Sequence, residues 1–159
     1  MNSAVPGSER NCITRAIFWG GLICGFLDIT AAFVVYGFFG ARPIPILQGI
    51  AAGLLGPRAH DGGLATAALG LVCHFVIAFS AAAAYNVIGQ WLTMLRATPF
   101  VFGPLYGIAF YFFMNRIVVP LSGARKYPFS VKMMLIGVAI HVFCVGLPIA
   151  LAARRFSAS

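Results

Sequence analysis

Four apolar stretches, about residues 16–39, 63–89, 101–122 and 130–153, are each long enough to cross a bilayer as a helix, a task that takes about 20 apolar residues. In lipid a backbone must satisfy its own hydrogen bonds, so such spans fold as helices. The expected fold is an all-α polytopic membrane protein with four transmembrane helices. Of the 159 residues 61% are apolar and 9% charged, a balance far outside that of soluble domains. Outside a single transmembrane domain over residues 16–159 this leaves a polar N-terminal tail over residues 1–15. A five-residue stub follows Arg154 within that domain. No soluble catalytic domain fits.

The first stretch is too long for a signal-peptide core and is interrupted by Asp28, so it reads as retained. Between the first and second spans lies a shorter apolar run, about residues 44–56, started by Pro45 and stopped by Gly56-Pro57. It is expected to form an interfacial or re-entrant helix. Gln48 is its polar side chain, and Gly49 and Gly53 suit close docking on a span. Gly21-x3-Gly25 and Gly103-x3-Gly107 open the first spans of two hairpins, and Gly-Ala-Arg-x-x-Pro closes both, at Gly40 and Gly123. That echo suggests two hairpins repeated in parallel about an axis along the membrane normal.

With four spans both termini fall on one side. The formal charge is +8, from 11 Lys and Arg against Glu9, Asp28 and Asp61. Arg10, Arg15, Arg96, Arg154 and Arg155 lie on the terminus side; Arg42, Arg58, Arg116, Arg125, Lys126 and Lys132 lie on the other. Discounting Arg116 and Lys132 as intramembrane leaves a narrow lead for cytoplasmic termini, with insertion in both orientations left open. Basic residues at span ends suit anionic lipid head groups, so the bilayer is the expected partner. A nucleic-acid groove has no polar surface to occupy. Cys12, Cys24, Cys73 and Cys144 lack CxxC spacing, and the three inside spans, Cys24, Cys73 and Cys144, read as packed thiols.

Ionisable groups at bilayer depth are costly, and Asp28, His74 and His141 each lie eleven residues from a span end on the same side, roughly 16 Å deep at the helical rise. Asn115 follows somewhat nearer that surface. In lipid, helices associate through small residues. Gly63, Ala67, Gly70, His74, Ala78, Ala81 and Tyr85 recur at helical spacing, as do Gly21, Cys24, Gly25, Asp28, Ala31, Ala32 and Val35. These stripes point Asp28 and His74 inward. Gly103, Gly107 and Tyr111 lead towards Asn115, and Gly137 precedes His141 by one turn. Asp28, His74, Asn115 and His141 are thus the candidate polar layer. Arg116 lies away from Gly103 and Gly107 and reads as a snorkelling side chain; Tyr85, Trp19 and Trp91 read as an aromatic belt.

The stretch 69–79, LGLVCHFVIAF, with Leu105-Tyr106-Gly107, Met114-Asn115 and Val118-Val119-Pro120-Leu121-Ser122, resembles small uncharacterised bacterial inner-membrane proteins, broadly of the YagU-like kind. The likeness spans about residues 47–122. It implies an inner-membrane location and a helix count, and transfers no catalytic residue.

Three functions suit these residues. Asp28, His74 and His141 could relay protons or bind a cation in a small channel or transporter, which with four helices would need to form a homo-oligomer to enclose a path. The Gly/Ala faces could instead serve a partner, in an accessory or assembly subunit. Third, His74 and His141 could ligate a haem, or with Asp28 a metal, although no cofactor-attachment motif calls for one. No span pairs a nucleophile with a base, so an enzyme is not expected.

Overall fold

The computed structural model describes residues 6–156, with side chains from residue 11. Among the described residues four helices are long and apolar enough to span a membrane. They are α1 (Pro6–Phe38, apolar from Asn11), α3 (Gly63–Trp91), α5 (Pro99–Leu121) and α6 (Val131–Arg155). The shorter α2 (Pro43–Leu55) lies between the first two spans and runs into a 3-10 turn over Gly56–Asp61; a four-residue α4 (Met94–Ala97) sits in the α3–α5 turn. No strand occurs among the described residues. The polar stretch expected as a tail is helical from Pro6, because proline suits a first helical turn and nothing breaks the helix between it and the apolar span. The rest of that tail, and residues 157–159 of the stub, lie outside the described residues.

Two spans are not regular α-helix. α5 widens to π geometry over Met114–Val118 and α6 over His141–Gly146. Pro120 and Pro148 follow these turns; each lacks the N–H that the carbonyl four residues earlier would receive, and its ring crowds that carbonyl. A wider turn relieves both demands.

The small-residue positions set the packing. Side chains at Gly21 and Gly25 would occupy the space of the Phe79 and Phe75 rings of α3, so α1 and α3 pack closely. On α5, Gly103 and Gly107 meet the α6 backbone at Gly146, Leu147 and His141. Each glycine pair of the sequence echo therefore serves the contact within its own hairpin. α1 also packs along α6, and the spans run around the bundle in the order α3, α1, α6, α5. Between α3 and α5 the Tyr106 hydroxyl donates to the Ala81 carbonyl at 2.8 Å and its ring meets Tyr85 edge-on. An apolar groove lined by Ser80, Ala84, Ala109 and Phe113 runs beside that contact.

The two ends of the bundle differ. At the terminal end the Arg15 guanidinium lies over the Phe156 ring, joining the start of the α1 span to the end of α6. At the loop end Lys132 of α6 lies over Phe39, just past α1. The core of Cys24, Ala78, Ala81, Ala82, Tyr85, Val145, Ile149 and Ala150 fills the terminal half. Towards the loop end, α1 buries nothing beyond Ile29, α5 nothing beyond Gly107, and α6 nothing before Val145. Only α3 is covered there, by α2. The Leu47 carbonyl rests where a Gly70 side chain would be, Ala51 and Ala52 are buried, and the Gln48 amide donates to the Gly63 carbonyl at 3.0 Å.

Two expectations are corrected. The close approach of α2 to α3 is made by Gly70, not by Gly49 and Gly53: an added carbon at Gly49 meets nothing within 4 Å, and at Gly53 only Ser122 at 3.8 Å. Gly53 instead offers its carbonyl to the Gly123 N–H at 3.0 Å, tying the α5–α6 loop to α2. Tyr85 is not a belt residue: it is 0% exposed, and its hydroxyl donates to the Leu95 carbonyl at 2.7 Å. It continues the buried stripe of Ala78 and Ala81, and the α4 turn folds back over it.

Candidate intramembrane polar site

Asp28 and His74 meet. The small-residue stripes turn both towards the α1–α3 interface, and because Gly25 has no side chain, α3 approaches until His74 reaches the backbone of α1. The His74 Nε2 lies 2.9 Å from the Gly25 carbonyl oxygen. A carbonyl only accepts, so Nε2 carries the proton and donates. That choice leaves Nδ1 as the second nitrogen, and Nδ1 stands 4.0 Å from Asp28 Oδ2. The backbone thereby fixes the tautomer and aims the basic nitrogen at the carboxylate. A proton on Nδ1 makes an ion pair; on Asp28 it gives a neutral acid facing a lone pair; without a proton two lone-pair-bearing atoms face each other in a poorly solvated place. At 4.0 Å the two atoms lie within ion-pair reach but beyond hydrogen-bond distance.

The pair sits at the boundary between the packed and open halves. The His74 side chain is 10% exposed and that of Asp28 23%. On the terminal side the core closes over them, starting one turn away at Cys24 and Ala78. On the loop side Ile29, next to Asp28, is the last buried residue of α1, and among the described residues α5 buries nothing beyond Gly107 and α6 nothing before Val145. Polar side chains on the loop-side stretches of these spans include Thr30, Tyr36, Tyr111, Asn115, Arg116, Lys132 and His141.

His141 is placed differently from His74. Its Nδ1 lies 2.9 Å from the Gly137 carbonyl in its own helix, so Nδ1 donates. Its ring packs against Tyr111 at 5.2 Å and Phe110 at 6.2 Å, both on α5. Gly137 makes this possible, since a side chain there would meet the Tyr111 ring 2.5 Å away. His141 thus carries the opposite tautomer to His74 and pairs with α5 aromatics rather than with Asp28. Asn115 is exposed and donates to the Tyr111 carbonyl at 2.9 Å. The structure therefore joins Asp28 to His74, and ties His141 and Asn115 to carbonyls of their own helices. Among the described residues no group of three or more His, Cys, Asp or Glu comes together as metal ligands, so Asp28, His74 and His141 do not form a shared metal set.

Three parts of the site carry little signal in the sequence. The Gly25 carbonyl is a backbone acceptor that no residue pattern marks. Tyr36 and Tyr111 look like ordinary span aromatics. The π turn that begins at His141 has a trace, Pro148 seven residues on.

Comparison with family models, curated proteins and solved structures finds no match to this chain.

Proposed function

We propose that this protein is a small proton-linked channel or carrier, in which Asp28 and His74 hold the exchangeable proton. The observation that carries the reading is the fixed His74 tautomer, which turns a basic nitrogen towards a carboxylate at mid-span. A merely structural polar contact is satisfied by one hydrogen bond, as His141 is. His74 already has its hydrogen bond to Gly25, and the facing Asp28 adds an ionisable group whose desolvation is otherwise a cost. The loop-side stretches of α1, α5 and α6, which bury no residue beyond Ile29, beyond Gly107 and before Val145, give that proton a way in, and the packed terminal half closes the other way out. Transport then requires the terminal half to loosen while the loop half closes. The resemblance to YagU-like proteins supports placing this activity in a bacterial inner membrane.

The test is proton entry into vesicles containing a pH-sensitive dye, driven by an imposed potassium diffusion potential. Vesicles holding the protein should acidify faster than protein-free vesicles, and Asp28→Asn should bring the rate down to the protein-free level while eluting normally in detergent. An Asp28→Asn protein that conducts as well as the parent would remove the basis for this function.

A further inference from the structure

We infer that the outer arm of α6, Val131–Ile140, is a gate that pivots on the π turn His141–Gly146 and closes onto α1 over Asp28. This rests on the proton-linked reading above, for which it names the moving part. α1 packs closely along the π turn and along Leu147–Arg155, but not along the arm. The stretch of α5 beyond Phe113 does not pack closely on the arm either, and no residue of the arm is buried. Two side-chain contacts steady it: Gly137 lies against the Tyr111 ring of α5, and the Lys132 ammonium reaches over Phe39. It lacks the buried contacts that keep a helix still.

The contact it would complete is already begun. α1 and α6 run antiparallel, and in the packed half a carbon added at Gly20 comes 3.6 Å from the Ile149 Cα. Fourteen residues outward on each helix, about four turns, stand Val34 and Leu135; eighteen outward, about five turns, stand Phe38 and Val131. All four are apolar and more than half exposed. A regular α6 would therefore carry the same interface past Asp28 to the loop end. The π turn lies where the close contact stops, and its wider winding redirects the helix beyond it. Pro148 favours that turn, since the Cys144 carbonyl has no N–H four residues on.

Charge decides which form is favoured. Val34 lies six residues outward of Asp28, so the closed arm would cut the carboxylate off from the loop end. Enclosing a bare carboxylate is costly, and a neutralised one much less so. The ionisable side chain that meets Asp28 is His74 of α3; α2 carries none, and the π turn of α6 adds Cys144 and His141, whose ring packs on α5. The gate stands open over a charged Asp28 and closes once a proton neutralises it.

Spin labels in lipid nanodiscs read the movement. Gly37→Cys and Phe129→Cys flank the contact without filling it: a carbon added at Gly37 meets nothing, and Phe129 is exposed. Cys12, Cys73 and Cys144 are replaced by Ala, and the buried Cys24 is kept; without the added cysteines this background should take up no label. The parent should show one long distance. Asp28→Asn should add a shorter population, that of packed helices with axes about 8–10 Å apart. Pro148→Ala, which restores the missing N–H, should favour the shorter population even with Asp28 in place. One unchanged distance in all three proteins would mean that lipid covers α1 here, and overturns the gate while leaving the Asp28–His74 contact standing. Closure by Asp28→Asn with no response to Pro148→Ala overturns the π turn as the pivot. A second pair, Trp19→Cys with Leu151→Cys, both exposed in the packed half, should lengthen as the first shortens. If the outer pair closes while this one stays fixed, the gate stands and the proton-linked reading falls.

Discussion

Gly146→Val is expected to prevent α5 and α6 from packing and to leave little folded protein. An added carbon at Gly146 falls on the Gly103 carbonyl and within 2.6 Å of the Gly107 nitrogen and 2.9 Å of its Cα. These neighbours are backbone atoms of a helix, so no rotamer change makes room. Overpacking a well-packed core typically costs about 1–3 kcal/mol and more where nothing can yield, and Val adds two further carbons. The loss should therefore reach about 3 kcal/mol or more by that scale, read as collapse of the monodisperse detergent peak on mild heating. Gly49→Ala is the contrast. Its new methyl meets nothing, and exchanging a mid-helix glycine for alanine is worth about 0.5–1 kcal/mol in favour of the helix, so that protein should melt slightly later than the parent.

This contrast also shows what could be read before the structure. Both glycines sit in apolar helices, and Gly49-x3-Gly53 has the spacing of an interface, yet the contact is made by Gly70 on the other helix. Spacing marks which residues share a face, but it does not say which of two facing helices supplies the gap. The spans themselves were legible because each needs the same length of apolar chain, and the inward direction of Asp28 and His74 followed from the small residues around them. The separation of His141 from that pair was not legible. Equal depth says nothing about rotation around the bundle, and the π turn starting at His141 breaks the periodicity from which direction is inferred. Tyr85 was misplaced for a related reason: an aromatic near a span end suits either a belt or a core, and the α4 turn that buries it depends on long-range packing.

The second large effect concerns the polar pair. His74→Ala should be strongly destabilising, because it leaves the Asp28 carboxylate without its partner. Removing one member of a buried ion pair costs about 3–5 kcal/mol, and the 23% exposure of Asp28 puts the expectation at the lower end. With Asn at position 28 the carboxylate is gone, and His74→Ala should then cost only the hydrogen bond to Gly25, about 1 kcal/mol. The two substitutions are thus expected to be non-additive by about 2 kcal/mol, as for residues in contact. The same cycle run between Asp28 and His141 should be additive, since His141 is bonded to Gly137 and packed on α5. Thermal melting of the four proteins of each cycle, in one detergent, gives both numbers. Additivity in the first cycle would mean that the 4.0 Å approach carries no energy.

The most direct test of the central claim is the protonation of the two imidazoles, read from ring nitrogen resonances in protein labelled with nitrogen-15 at histidine. His74 is expected to carry its proton on Nε2 and His141 on Nδ1, opposite tautomers dictated by the Gly25 and Gly137 carbonyls. Asp28→Asn should shift the Nδ1 resonance of His74 and leave that of His141 in place. A His74 with its proton on Nδ1 in the neutral ring, or a His74 spectrum indifferent to Asp28→Asn, would contradict a proton site built from Asp28 and His74.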